Sequence, residues 1–301
     1  MIYTVTMNPS LDYTITVDNF QDGKINRTKK EMIYPGGKGI NVSFVLKEFG
    51  VDSIATGFVG GFTGKEIQRL VEEKNISTHF FQADGNSRIN IKMESDKETQ
   101  INGMGPSPMN LDGFIEYITN QNDSMVVLSG SLMRGMDKHI YGDICEALNG
   151  NVVVDTTGEA LEYAITKHPF LIKPNDEELE ALVGISIKSY EDAFKGASLL
   201  HKKGACNVIV SLGEKGAILL TDDGKKYIGI APKGKVINTV GAGDSLVGGF
   251  LAEYTKNKNI VSSFQNGIVC GSATAFSDWL CTKEKVDELL NEVKVSEYGN
   301  E

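Results

Sequence analysis

The chain has no C-x-x-C pair. Its cysteines, Cys145, Cys206, Cys270 and Cys281, are widely scattered, so neither a zinc site nor a disulfide framework is implied, and reduced, partly buried thiols are expected. Positive charge is also short, with 30 Lys and Arg against 40 Asp and Glu and a formal net charge of −10. Nonspecific nucleic-acid binding needs a basic surface or stripe, which argues against nucleic acid as a partner. An anionic ligand would have to meet a local island of cations. No apolar run approaches the roughly 18 residues of a membrane span. The opening MIYTVTMNPSLDY lacks a basic segment followed by an apolar signal core, so a cytoplasmic protein without membrane contact is expected. His79, His139, His168 and His201 show no metal-ligand spacing and no Ser/His/Asp arrangement. Neither G-x-x-x-x-G-K-[ST] nor G-x-G-x-x-G after a strand occurs, which weakens a Walker-type ATPase and a dinucleotide dehydrogenase.

What is present is an alternation of strand-like and helical segments. SMVVLSG (124–130), NVVVDTT (151–157), FLIKPN (170–175) and NVIVSLG (207–213) are short, β-branched and end in polar residues. Helical patterns such as MDKHIYGDICEALNG and NDEELEALVG lie between them. Strands apolar on both faces and separated by helices predict a parallel sheet covered on both sides, with ligands at the carboxyl ends near Ser129, Asp155, Asn175 and Ser211. The first hundred residues differ. LDYTITV (11–17), RTKKEMIYP (27–35), INIKMES (89–95) and ETQINGM (98–104) alternate apolar and polar residues, as a small antiparallel sheet covering a cleft would. VSEYGNE reads as a polar tail.

Several segments suit chemistry. In INTVGAGDSLVGGF (237–250) the carboxylate of Asp244 follows Gly241, Ala242 and Gly243 at the start of an apolar helix. One reading is local, with Asp244 satisfying orphan N–H groups at the positive end of the helix dipole. The other is an anion-binding nest with Asp244 acting on the anion's neighbour. YPGGKGINVSFVLKEFG (34–50) sets a glycine-rich turn before a helix, where Gly37 permits close approach, Lys38 adds a charge and Asn41 an amide. It reads equally as a tight turn with a solvated lysine. In KPNDEELEAL (173–182) Asn175 and Glu178 form a capping-box pattern, and the same pair facing a cleft would position hydrated Mg²⁺. SLGEKGA (211–217) reads as a hairpin whose Gly213 and Gly216 take unusual backbone angles.

Together with MNPSLD (7–12), SRINIK (87–92) and LSGSL (128–132), these segments resemble, in order and over nearly the whole chain, the signatures of the PfkB (ribokinase-like) family of carbohydrate kinases. The resemblance implies one α/β domain over 1–301. Its fold would be a ribokinase-like three-layer structure with a mainly parallel central sheet and a small antiparallel β lid, inserted at about 11–35 and 87–105. It implies ATP and Mg²⁺, with Asp244 as the base that takes the sugar hydroxyl proton and Gly241, Ala242 and Gly243 as the anion hole. Asp12, Gly37, Asn41 and Ser129 would hold the sugar, and Lys38 and Arg88 would receive its existing phosphate. Lys24 would lie between sugar and nucleotide. Asn175 and Glu178 would organise Mg²⁺, with Lys173 nearby, while Ser211, Gly213, Gly216 and Ser272 line the nucleotide and Ser277 contributes.

Within the family, GGKGIN and TMNPSLDYT most resemble the branch acting on ketohexose phosphates. Fructose 1-phosphate, phosphorylated at its 6-hydroxyl, is the favoured substrate, tagatose 6-phosphate the second, and a sugar-phosphate sensor without turnover a third reading. A homodimer through the lids is the implied assembly. The chain departs from the family pattern at Met133-Arg134-Gly135, where Pro-Pro-Gly is frequent, and CGSATAFSDWL is less diagnostic.

Overall fold

The computed structural model describes residues 1–299, so the last two residues of the VSEYGNE segment lie outside the described residues. The first strands are β1 (Ile2–Thr6), β2 (Ser10–Thr16), β3 (Lys30–Gly36), β4 (Ser53–Val59), β5 (Ser77–Asp84), β6 (Arg88–Glu94), β7 (Thr99–Asn102) and β8 (Ser107–Pro108). They are followed by β9 (Met125–Ser129), β10 (Val152–Asp155), β11 (Leu171–Ile172), β12 (Asn207–Ser211), β13 (Ala217–Leu220), β14 (Lys226–Ile230) and β15 (Lys294–Glu297). The main sheet runs β15-β14-β13-β12-β11-β10-β9-β1-β4-β5-β8, parallel from β12 to β5 and antiparallel at both ends.

Alternation along the central strands builds two cores, one on each face. Val126 and Leu128 of β9 and Val208 and Val210 of β12 face a layer containing Phe114, Ile144, Leu161 and Leu200. Val127 and Ile209 face the opposite layer, with Val45, Leu246, Phe250 and Ile268. Because each strand is buried on both faces, it reads as a nearly continuous apolar run. The ribokinase-like three-layer arrangement is thus the expected one.

The small sheet has the order β3-β2-β6-β7. Its β2–β3 and β6–β7 pairings are antiparallel, as expected, but β2 and β6 pair in parallel. Both leave the carboxyl ends of strands that run the same way in the main sheet, so they set out in the same direction. One face carries the row Ile33, Tyr13, Ile91 and Ile101, and the opposite face carries Asp12, Asn90 and Asn102.

Two local expectations change. The FLIKPN strand shortens to Leu171–Ile172, because Pro174 has no N–H to donate, and the register resumes only as an isolated bridge between Asn175 and Ser211. The expected polar tail instead contributes β15, which pairs antiparallel with β14 at the sheet edge.

Candidate active site

Two cavities open along the carboxyl ends of the parallel strands, of about 580 and 780 Å³. They meet at Asn175, Ser211 and Gly243, which line both. Between them begins the helix Ala242–Asn257, whose N-cap Gly241 has φ 82°, a conformation natural to glycine, and no side-chain cap. Asp244 therefore does not cap its own helix. Its Oδ2 accepts from Asn41 Nδ2 at 2.7 Å, and the residue is 6% exposed. Burial, reinforced by the charge of Asp155, pushes the Asp244 carboxyl up to about 6, against the pull of Lys38, Asn41 and Lys173. A carboxyl with that value is a poised proton acceptor near neutral pH.

Asp155 ends β10 beneath the cleft and is 1% exposed. Its Oδ1 takes Lys38 Nζ at 3.0 Å and lies 3.6 Å from Lys173 Nζ. Burial works to raise the Asp155 carboxyl, yet Lys173 and Lys38 outweigh it and hold it below the ordinary carboxylate range. Lys38 is raised, because the attraction of Asp155, Asp244 and Glu178 overcomes its desolvation. A Cβ on Gly243 would stand 3.0 Å from Lys173 Nζ, so the glycine leaves room for an ammonium against the nest.

At the lid end, Asp12 accepts from Ser10 Oγ at 2.6 Å, Asn90 Nδ2 at 3.0 Å and Lys92 Nζ at 2.6 Å. Arg88 donates Nε to the Asn8 carbonyl at 3.1 Å; burial presses its pKa below the ordinary range while Asp12 acts the other way. Lys38 and Arg88, the two cations expected to receive one phosphate, both line the smaller cavity but have different charged neighbours. The charged neighbours of Lys38 are Asp155, Asp244 and Glu178, whereas that of Arg88 is Asp12. The buried Asp155 carboxylate holds Lys38 Nζ at 3.0 Å, whereas Arg88 is held at the Asn8 carbonyl.

The larger cavity is lined by Gly213, Gly216, Ala242, Leu246, Ile268 and Ser272, with Phe276 and Val236 adding apolar surface. Ser277 is not among its lining residues, because its hydroxyl donates back to the Ala273 carbonyl at 2.8 Å. Lys24 also lies outside both cavities, exposed in a loop that Asn26 closes on Gln21 and Lys24 itself. Ser129 is fully buried behind Gly130 and Ser131, which line the smaller cavity in its place. Asp12, Gly37, Lys38, Asn41, Arg88, Lys173, Asn175, Glu178, Ser211, Gly241, Gly243 and Asp244 all line that cavity. Met133-Arg134-Gly135 forms a turn with Gly135 at φ 83°, and Met133 and Met136 are buried beneath it.

Sequence reasoning missed the roles of Asp155, Asn90 and Lys92. Arg88, Asn90 and Lys92 alternate along β6, so period two places them on one face, opposite Ser10, Asp12 and Thr14. For Asp155 the signal was a carboxylate closing an all-apolar strand, a position that demands a buried cation.

Residues 5–281 match the family described as pfkB family carbohydrate kinase. The chain belongs to that family. It is therefore a phosphotransferase with an alcohol acceptor, and the family takes ATP as a substrate. A 1-phosphofructokinase of Bacillus subtilis (strain 168) is 46% identical over 302 residues, covering 98% of this chain and 99% of that protein. A D-tagatose-1-phosphate kinase of Bacillus licheniformis is 34% identical over 303 residues, again covering 98% and 99%. The crystal structure of phosphofructokinase-2 from Escherichia coli in complex with substrates and products superposes with a TM-score of 0.89 at 28% identity, covering 96% of this chain and 98% of that one.

For a pfkB kinase the donor set for a divalent ion matters. Among the described residues no group of three His, Cys, Asp or Glu side chains forms a metal cage. The Asn175 side-chain oxygen already accepts from the Glu178 N–H at 2.7 Å, and Glu178 Oε2 accepts from the Asn175 N–H at 2.9 Å. Glu178 Oε1 has no such partner, and Asp155 Oδ2 is buried without one. Few, hard oxygens of this kind fit Mg²⁺, which keeps several waters and takes phosphate oxygens.

Proposed function

We propose that the chain transfers phosphate from ATP to the 6-hydroxyl of fructose 1-phosphate, giving fructose 1,6-bisphosphate. The observation that carries this reading is the position of Asp244, buried and raised to about 6 in the smaller cavity together with Lys38, Arg88 and Lys173, next to Gly243, which lines both cavities. The 46% identity to a 1-phosphofructokinase over nearly the full length supports the substrate choice.

In this reading Asp12 orients sugar hydroxyls, while Arg88, with its planar fork, holds the phosphate already on the sugar. Asp244 accepts the proton of the attacking hydroxyl late in the reaction. The backbone N–H groups of Gly241 to Gly243, with Lys38 and Lys173, stabilise charge on the transferred phosphoryl, which is the main task in such chemistry. Glu178, through its free oxygen, and Asp155 would hold Mg²⁺, which supplies charge neutralisation at the phosphates when bound. Asn175 keeps its capping role, and its amide nitrogen is left for phosphate or water. Ser211, Gly213, Gly216 and Ser272 line the nucleotide.

The similarity to a D-tagatose-1-phosphate kinase favours a second reading, the C4 epimer with phosphate and reactive hydroxyl at the same ends. We assign the assembly to a homodimer in which the outward lid row, with Ile33 50% and Ile101 61% exposed, packs on a second copy. The deciding experiment is kcat/KM for fructose 1-phosphate, tagatose 1-phosphate, tagatose 6-phosphate, fructose 6-phosphate and fructose with Mg²⁺-ATP. A lead for fructose 1-phosphate is expected. A lead for unphosphorylated fructose would overturn the role of Arg88.

A further inference from the structure

Trp279 is the chain's only tryptophan, and it sits in a segment that none of the catalytic roles above uses. Its ring stacks on Tyr34 of lid strand β3, with centroids 5.2 Å apart and planes at 16°. It also meets Phe44 edge-on at 5.1 Å. Tyr34 is the cross-strand partner of Asp12, the carboxylate at the sugar end of the cleft. Phe44 lies on the helix Lys38–Glu48, which carries both Lys38 and Asn41.

The next two residues reach the other side of the reaction. Leu280 presses against Gly241, where a Cβ would come within 2.6 Å of Leu280 Cδ2. The Cys281 N–H donates to Thr274 Oγ1 at 2.9 Å, and Thr274 Oγ1 donates to Ser245 Oγ at 2.7 Å, on the residue after Asp244. Three consecutive residues thus reach the lid, the start of the nest and, through Thr274, the neighbour of the proposed base.

We propose that Trp279, Leu280 and Cys281 form a strut that sets the lid strand of Asp12 relative to the nest of Gly241 to Asp244, with Trp279 as a positioning residue for phosphoryl transfer. The physical requirement is clear. The sugar is held by the lid, the phosphoryl by the nest, and a misplacement of about 1 Å between reacting groups costs on the order of a hundredfold in rate. A strand sheet standing outside the main core needs a stiff contact to that core, and a stacked indole supplies one with few rotatable bonds. If Trp279 only filled space, its loss would lower stability without separating the two ligands' behaviour. The proposal rests on the kinase reading, but one arm of its test does not.

The test compares the wild type with Trp279→Phe, Trp279→Ala, Tyr34→Leu and the Trp279→Ala/Tyr34→Leu double variant. Sugar-phosphate and ATP kinetics are measured, together with fructose 1-phosphate affinity in the presence and absence of a non-hydrolysable ATP analogue. Trp279→Ala and Tyr34→Leu should each raise the KM for fructose 1-phosphate about three- to tenfold, the range an aromatic pair supports. The KM for ATP should stay within about twofold, and ATP hydrolysis without transfer should rise relative to transfer. Trp279→Phe should restore most of the loss, and the double variant should be no worse than the poorer single one. Independently of turnover, the emission of the single indole should shift when fructose 1-phosphate or the ATP analogue binds, and the shift should vanish in Tyr34→Leu. Multiplying effects in the double variant, a proportional loss of kcat and both affinities that phenylalanine does not rescue, or an unchanged emission on binding would each overturn the strut. Should Trp279→Ala fail to fold, Tyr34→Leu and Trp279→Phe carry the comparison. Failure of the wild type to phosphorylate any ketohexose phosphate would instead remove the proposed substrate and leave the emission arm standing.

Discussion

Asn41 donates its side-chain N–H to Asp244 Oδ2 at 2.7 Å, joining two glycine-rich helix starts 203 residues apart in the chain. The contact holds the carboxylate at the smaller cavity, with no capping role on its own helix. It leaves Asp244 available for the proposed role of base.

Asp244→Asn should lower kcat by about 10²–10⁴-fold, the usual contribution of a positioned proton acceptor, because the amide has no place for the hydroxyl proton. Calorimetric affinity for fructose 1-phosphate should change only a few-fold. An Asp244→Asn enzyme with near-normal turnover would remove Asp244 from the role of base.

The pH dependence follows from the raised carboxyl. Activity should fall on the acid side with a midpoint near the Asp244 value of about 6. Stability has its own sign: a group whose folded value lies above its unfolded one binds a proton on folding, so ionising it costs stability as pH rises from about 4 through 6. Asp244→Asn should therefore melt higher than the wild type above pH 6, by on the order of 1–3 kcal/mol, and converge with it near pH 4. Thermal melts across that range check both limits.

Asp155→Asn should be destabilising. It leaves Lys38 and Lys173 without their shared carboxylate, and removing one partner of a buried pair costs about 3–5 kcal/mol. Because Asp155 is held below its unfolded value, its contribution has the opposite sign to that of Asp244 and is lost only as pH falls below about 4. Urea denaturation at pH 7 and at pH 3.5 separates the two; equal stability of variant and wild type at pH 7 would show that the ammoniums do not depend on Asp155.

Arg88→Met should reduce kcat/KM for fructose 1-phosphate by about a hundredfold, as expected for a lost charged hydrogen-bond pair. Activity on unphosphorylated fructose, however slow, should stay within a few-fold. Equal losses on both sugars would place Arg88 in folding or general sugar binding.

Ile101→Lys should shift the protein from dimer to monomer in size-exclusion light scattering, because it sets a charge in the outward apolar row of the lid. An unchanged mass would mean that another surface, or none, joins the copies.

Much of this was legible before any coordinates. The continuous apolar runs at β9, β10 and β12 marked a parallel sheet, and alternation at β2 and β6 marked the lid. The capping box at Asn175 and Glu178 was read from four residues and is present. Lys24 and Ser129 lie outside the two cavities, which their motifs could not reveal, because a motif gives a residue's position along the chain without the direction of its side chain. The parallel β2–β6 pairing was missed because strand direction depends on which strands of the main sheet they leave.

What the sequence determined by itself were most of the elements, the glycine-rich helix starts and the inventory of charged groups, since these depend on neighbours within a few residues and on hydrophobic period. Only the tertiary structure decided how the charges are shared. Lys38 lies 117 residues from Asp155 and Asn41 203 from Asp244, and no local rule reaches that far. Burial strengthens these pairings by removing water from around them, so folding, not composition, made one aspartate an anchor for two lysines and raised the carboxyl of the other toward neutral pH.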